Sequence, residues 1–80
     1  MNAGVQPLDA LMEKCGLKNH DVAAAGAACN LTHKEVARAR KGRRLTARTQ
    51  RRVLSALNVC LRSCELPTVD LAEVFNYRGH

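Results

Sequence analysis

Residues 31–46 read Leu-Thr-His-Lys-Glu-Val-Ala-Arg-Ala-Arg-Lys-Gly-Arg-Arg-Leu-Thr, and this stretch carries a full set of helix boundary signals. Thr32 followed by Glu35 forms a capping box: the threonine oxygen takes an orphan amide of the first turn, and the glutamate reaches back to the cap residue's own amide. Leu31 and Val36 occupy the two positions of a hydrophobic staple, and Gly42 stands where helices end in a left-handed residue. The signals predict a helix over 33–41. At about 100° per residue, Val36 and Ala39 project on one side of it, and Lys34, Ala37, Arg38 and Lys41 on the other, with His33 at the leading end.

The same stretch holds most of the charge. From Thr32 to Arg52 there are nine Lys or Arg (34, 38, 40, 41, 43, 44, 48, 51, 52) against one acid, Glu35, while the rest of the chain has four bases and six acids. The net charge of +6 therefore comes from about a quarter of the molecule. A solvated face normally mixes the two signs, so this concentration points to a polyanion. Surface solubility and pairing with Glu35 account for one or two arginines, such as Arg38 and Arg40, and leave the others unexplained.

Eighty residues make one small domain, with little material for a catalytic cleft. With one Phe, one Tyr and no Trp, the core has to be aliphatic. His20, His33 and the four cysteines compose no acid, base and nucleophile set, so no enzyme is expected. None of the cysteine spacings is CxxC; Cys60 and Cys64 lie four apart and lack a second ligand pair. Reduced thiols, with no metal and no cofactor, are the expectation. No run is long enough to span a membrane, and the N-terminal residues MNAGVQPLDA lack the basic start and apolar core of a signal peptide, which places the chain in the cytosol.

In chain order, residues 1–6 read as a frayed end. Pro7 suits a first helical position, Leu8, Leu11, Met12 and Cys15 repeat at helical spacing, and Gly16 ends that helix. Asn19 offers an N-cap with Asp21 in the first turn, and a small-residue helix continues from Val22 to Ala28, packed against the basic helix. After the 33–41 helix and a basic loop, Thr46 caps a long helix with Val53, Leu54, Leu57 and Leu61 as its stripe. Pro67 stops the helical run, and a last short helix starts at Thr68 or Val69, with Leu71, Val74 and Phe75 facing the core. No segment reads as a strand. The fold class is all-α, with five helices in one domain: a core over 7–61 and a helical extension over 66–77.

The order of a capped small-residue helix, a turn, the segment Leu31 to Gly42 and a basic loop resembles the lambda-repressor-like helix-turn-helix domain of Cro or xenobiotic-response-element type. The likeness covers roughly residues 7–61. It implies a compact five-helix domain that binds double-stranded DNA sequence-specifically as a transcriptional regulator, commonly as a homodimer, with the second motif helix in the major groove. Carried over by position, Thr32, His33, Lys34 and Arg38 match base-contacting positions, Val36 and Ala39 core positions, Gly42 the terminating glycine, and Arg43 and Arg44 a loop that tracks the phosphates. From Val22 to Val36 the spacing is about three residues longer than the family's. Either residues 26–30 lengthen the turn, or Ala23 or Ala25 takes the core role.

Side-chain chemistry leads to the same division. Lys34 and Arg38 suit guanine O6 and N7, and His33 a base acceptor or a phosphate. Lys41, Arg43, Arg44, Arg48 and Arg51 suit phosphates, as do the backbone amides at Asn19, at His20 and at the start of the Thr46 helix. Two rivals remain: a protein-interaction module of antitoxin or phage-regulator type, and a nonspecific basic or RNA binder. Against RNA stands the placement of the aromatics: Phe75 and Tyr77 lie far along the chain from the basic stretch.

Overall fold

The computed structural model describes residues 3–79, and among them every regular element is helical. The elements are α1 (Pro7–Cys15), α2 (Asn19–Ala25), a 3₁₀ turn (Ala27–Cys29), α3 (His33–Lys41), α4 (Ala47–Ser63) and α5 (Leu71–Val74). Each helix touches the next in a closed circuit, α1 to α3 to α2 to α4 to α5 and back to α1, and α3 also meets α4. Leu8, Met12, Val22, Leu31, Val36, Ala39, Val53, Leu57, Val74 and Phe75 fill the space inside that circuit.

The boundaries of α3 follow from its own residues. Thr32 Oγ1 accepts from the Glu35 amide at 3.2 Å, Glu35 Oε1 accepts from the Thr32 amide at 3.1 Å, and Gly42 ends the helix at φ 88°. Glycine is required there twice over, because a β-carbon would sit in a left-handed residue and collide with the Gly4 carbonyl. Thr32→Ala is expected to lower stability by about 1 kcal/mol, and the melting temperature by about 4–8 °C for a domain of this size. A thermal melt followed by circular dichroism checks it; an unchanged midpoint would mean that the Thr32 cap contributes nothing to stability.

The expected N-cap at Asn19 is displaced by one residue. Lys18 is the cap, its amide donating to Asp21 Oδ2 at 2.8 Å, and Asn19 is the first helical residue. The helix expected through Ala28 stops at Ala25. Gly26 is buried so tightly that a β-carbon there would meet Leu31 side-chain atoms at 2.7 Å, and the chain turns through the 3₁₀ segment to Asn30 in the left-handed region. The chain thus turns over 26–30 before α3, and Val22 is fully buried.

The N-terminal segment is tied down rather than frayed over its described part, with Met1 and Asn2 lying outside the described residues. The Ala3 amide donates to the Gly42 carbonyl at 2.7 Å, and the Gln6 amide to the Arg40 carbonyl at 3.0 Å. The α4 stripe of Val53, Leu57 and Leu61 is buried, with Leu54 partly so. Its end comes before Pro67, at Ser63: Glu65 adopts φ 59°, and the Leu66 amide returns to the Leu61 carbonyl at 2.8 Å.

The last helix starts at Leu71 rather than at 68 or 69. The Asn58 side chain takes the Val69 amide at 2.9 Å and gives to its carbonyl at 3.1 Å, which holds Val69 against α4 before Asp70 caps α5. Residues 75–79 are not helical, so the extension expected over 66–77 is a four-residue helix followed by an irregular strap. Two fully or nearly buried glutamines fasten that strap. Gln6 Oε1 accepts from the Asn76 amide at 2.8 Å, Gln50 Oε1 accepts from the Gly79 amide at 2.9 Å, and Gln50 Nε2 donates to the Tyr77 carbonyl at 3.2 Å.

Candidate nucleic-acid interface

The nine basic residues of the 32–52 stretch divide into two groups. Arg40 and Arg52 are structural. Arg40 Nε meets Asp9 Oδ1 at 2.7 Å, its Nη1 meets Asn19 Oδ1 at 2.9 Å, and its Nη2 meets Glu13 Oε1 at 2.9 Å, so one guanidinium joins α1, α2 and α3. Neither Arg38 nor Arg40 pairs with Glu35 among the described residues, so pairing with Glu35 explains neither of them. Arg40 lies four residues after buried Val36 and beside buried Ala39, at the margin of the core seam, with a side chain 17 % exposed. That position was the available cue.

Glu35 pairs instead with Arg52, whose Nη1 lies 3.5 Å from Glu35 Oε2 while Nη2 donates to the Cys29 carbonyl. Arg52 therefore pins the 26–30 turn and the start of α3 to α4. Glu13 is largely exposed, so its share of the Arg40 cluster is screened by water and small. The stronger part is the Asp9 and Asn19 contacts, which are partly buried.

The other seven, Lys34, Arg38, Lys41, Arg43, Arg44, Arg48 and Arg51, are all exposed, and none forms an ion pair among the described residues. Lys34, Arg38 and Lys41 share the face of α3 opposite Val36 and Ala39, both of which are fully buried. Arg43 and Arg44 follow in the loop, and Arg48 and Arg51 lie on the first turns of α4. Thr32 and His33 are exposed at the leading end of α3, and the His33 ring lies 4.9 Å from that of His20 on α2. This contact brings the first turns of α2 and α3 together.

At the start of α2, the Asn19 side chain is engaged by Arg40, and the Asp21 carboxylate occupies the cap. The start of α4 is also partly covered: a β-carbon at Gly79 would meet the Ala47 amide nitrogen at 2.5 Å. Tyr77 is the residue that reading along the chain placed wrongly. Far from the basic stretch in sequence, it touches it in space, with the Arg44 guanidinium 5.4 Å from its ring centroid. Its hydroxyl accepts from the Leu45 amide at 3.0 Å and donates to the Arg43 carbonyl at 3.1 Å.

No family model, curated protein or solved structure matches the chain. Cys15, Cys29, Cys60 and Cys64 are free thiols, and Cys60 is buried, with Sγ donating to the Asp21 carbonyl at 3.6 Å. Burial pushes the Cys60 thiol up from its ordinary range, with the charges of Asp21 and Cys64 adding in the same direction. A thiol held protonated is a poor nucleophile and a poor metal ligand. Among the described residues, no three His, Cys, Asp or Glu lie together in a way that could hold a metal ion, and no helix is long and apolar enough to cross a membrane.

Proposed function

We propose that this protein binds double-stranded DNA in a sequence-dependent way, with the outer face of α3 in the major groove, and acts as a transcriptional regulator. The observation that carries the proposal is the pattern of engaged and unengaged cations. Glu35, Asp9 and Glu13 are taken by Arg40 and Arg52, which leaves Lys34, Arg38 and Lys41 in a row on a capped helix, continued by Arg43 and Arg44, with no acid paired to any of them among the described residues. A helix of this width fits the major groove, where Lys34 and Arg38 can donate to guanine O6 and N7. Thr32 and His33 enter at the leading end. Phosphates on either side are met by Lys41, Arg43, Arg44, Arg48 and Arg51, with His20 beside them at α2; the start of α2 itself is already capped by the Asp21 carboxylate. A single module makes few base contacts, so a homodimer on a two-fold site fits the proposal.

Fluorescence anisotropy of a duplex DNA pool at two salt concentrations tests the binding itself. Affinity should fall steeply as salt rises, because counterions are released with each phosphate contact. Arg43→Ala and Arg44→Ala should each reduce the salt slope by about one unit while the preference among duplexes stays. Equal loss from Lys14→Ala, on exposed α1 surface, would mean that only net charge is being measured.

One observation favours a second reading, a single-stranded RNA binder: the Tyr77 ring beside Arg44. Its geometry argues against a stacking platform. The ring meets Phe75 edge-on at 5.8 Å, carries Arg44 over it, and has its hydroxyl engaged twice. Competition between duplex DNA and single-stranded RNA separates the two, with duplex DNA expected to win.

A further inference from the structure

We infer that Tyr77 is a positioning residue for the DNA-binding loop: through its hydroxyl, the C-terminal strap sets the placement of Arg43 and Arg44. This inference rests on the duplex-binding reading above. The loop between α3 and α4 runs only from Gly42 to Thr46, and it carries two adjacent arginines with no ion-pair partner to hold them among the described residues. What holds it is backbone bonding from both sides. The Arg43 amide donates to the Arg38 carbonyl at 3.1 Å, which fixes the loop to the end of α3. The Arg43 carbonyl and the Leu45 amide then share the Tyr77 hydroxyl, which uses its one proton on the first and accepts from the second. One oxygen thus bridges two peptide groups on either side of Arg44.

Tyr77 is itself fixed. Gln50, fully buried at the start of α4, takes hold of the strap at the Tyr77 carbonyl and the Gly79 amide. Gln6 does the same at the Asn76 amide, and buried Phe75 supports the ring from the core side. The ring in turn lies under the Arg44 guanidinium, which restricts where that charge can point. A loop held in this way meets a phosphate row without first paying the entropy of ordering two arginines. The strap therefore acts on binding through Arg43 and Arg44, and it need not touch DNA.

The test is Tyr77→Phe, which keeps the ring, the Phe75 contact and the Arg44 stacking and deletes only the hydroxyl. Amide exchange is read first, without DNA. The Leu45 amide should exchange several-fold to about tenfold faster, the range expected when one neutral hydrogen bond is lost, while the Val53 amide in mid-α4 stays protected. Duplex binding is read next against salt. Tyr77→Phe should weaken it and lower the slope by about one unit, and it should have no further effect in an Arg43→Ala/Arg44→Ala background, the signature of action through those two residues. A general loss of stability would add to that double variant instead. If wild type binds duplex and Tyr77→Phe matches it in affinity and slope, the positioning role fails alone. Full additivity in the Arg43/Arg44 background overturns it as well. If wild type binds no duplex at all, the DNA reading fails and this role goes with it, whatever the Leu45 amide does.

Discussion

Phe75→Ala is expected to destabilise the domain by about 3–5 kcal/mol, the range for emptying a buried aromatic site. The total stability available to 80 residues is about 4–12 kcal/mol, so this one change would bring the protein to the edge of unfolding at physiological temperature. The reason is structural. Phe75 is 3 % exposed and belongs to the same core as Leu57 and Val36, although the chain around it has only four residues of helix. Its loss also frees the strap that Gln6 and Gln50 hold, so the Leu45 amide should lose protection with it. Val59→Ala, at a site 43 % exposed on α4, should by contrast stay within about 0.5 kcal/mol of wild type. Urea unfolding of the two variants decides the matter. A Phe75→Ala protein within about 1 kcal/mol of wild type would show that the C-terminal segment is an appendage and not part of the core.

That result bears on why some of the fold was readable and some was not. The α3 boundaries, the Pro7 start and Gly16 end of α1, and the Thr46 cap of α4 follow from contacts within four residues, and each stands where its local signal put it. The strap follows from contacts 27 to 70 residues apart, made by side chains to backbone groups, and no periodicity encodes these. One cue was present: Gln50 lies three and seven residues before Val53 and Leu57, on the buried stripe of α4, where a polar side chain needs a partner. Arg40 carried a similar cue beside Ala39. Its partners Asp9 and Glu13, 31 and 27 residues away, lie on another helix. Charge counting treats all nine bases alike; Arg40 and Arg52, the two given no DNA contact from sequence, are the ones that packing ties into the fold, while the other seven face solvent.

The second large effect concerns those seven. Lys34→Ala and Arg38→Ala should each cost about 1–3 kcal/mol against a preferred duplex, which is about 5-fold to about 150-fold in affinity, because on the proposed docking each removes a base-edge contact. Binding to an arbitrary duplex should change much less. Lys34 and Arg38 lie four residues apart on one face of α3, so on the proposed docking they address neighbouring base pairs, and the double variant should lose nearly all preference while remaining folded. Val36→Ala, buried on the opposite face, should lower stability without altering which duplex is preferred.

The most direct measurement is a selection of bound duplexes from a random pool by wild type, followed by titration of wild type, Lys34→Ala and Arg38→Ala against the selected and a scrambled duplex. A recurring selected sequence is expected, bound tightly by wild type, with variants that approach scrambled-site affinity on it while binding the scrambled duplex nearly as before. No preferred duplex for wild type, or equal losses by both variants on selected and scrambled DNA, would contradict the claim that α3 reads bases.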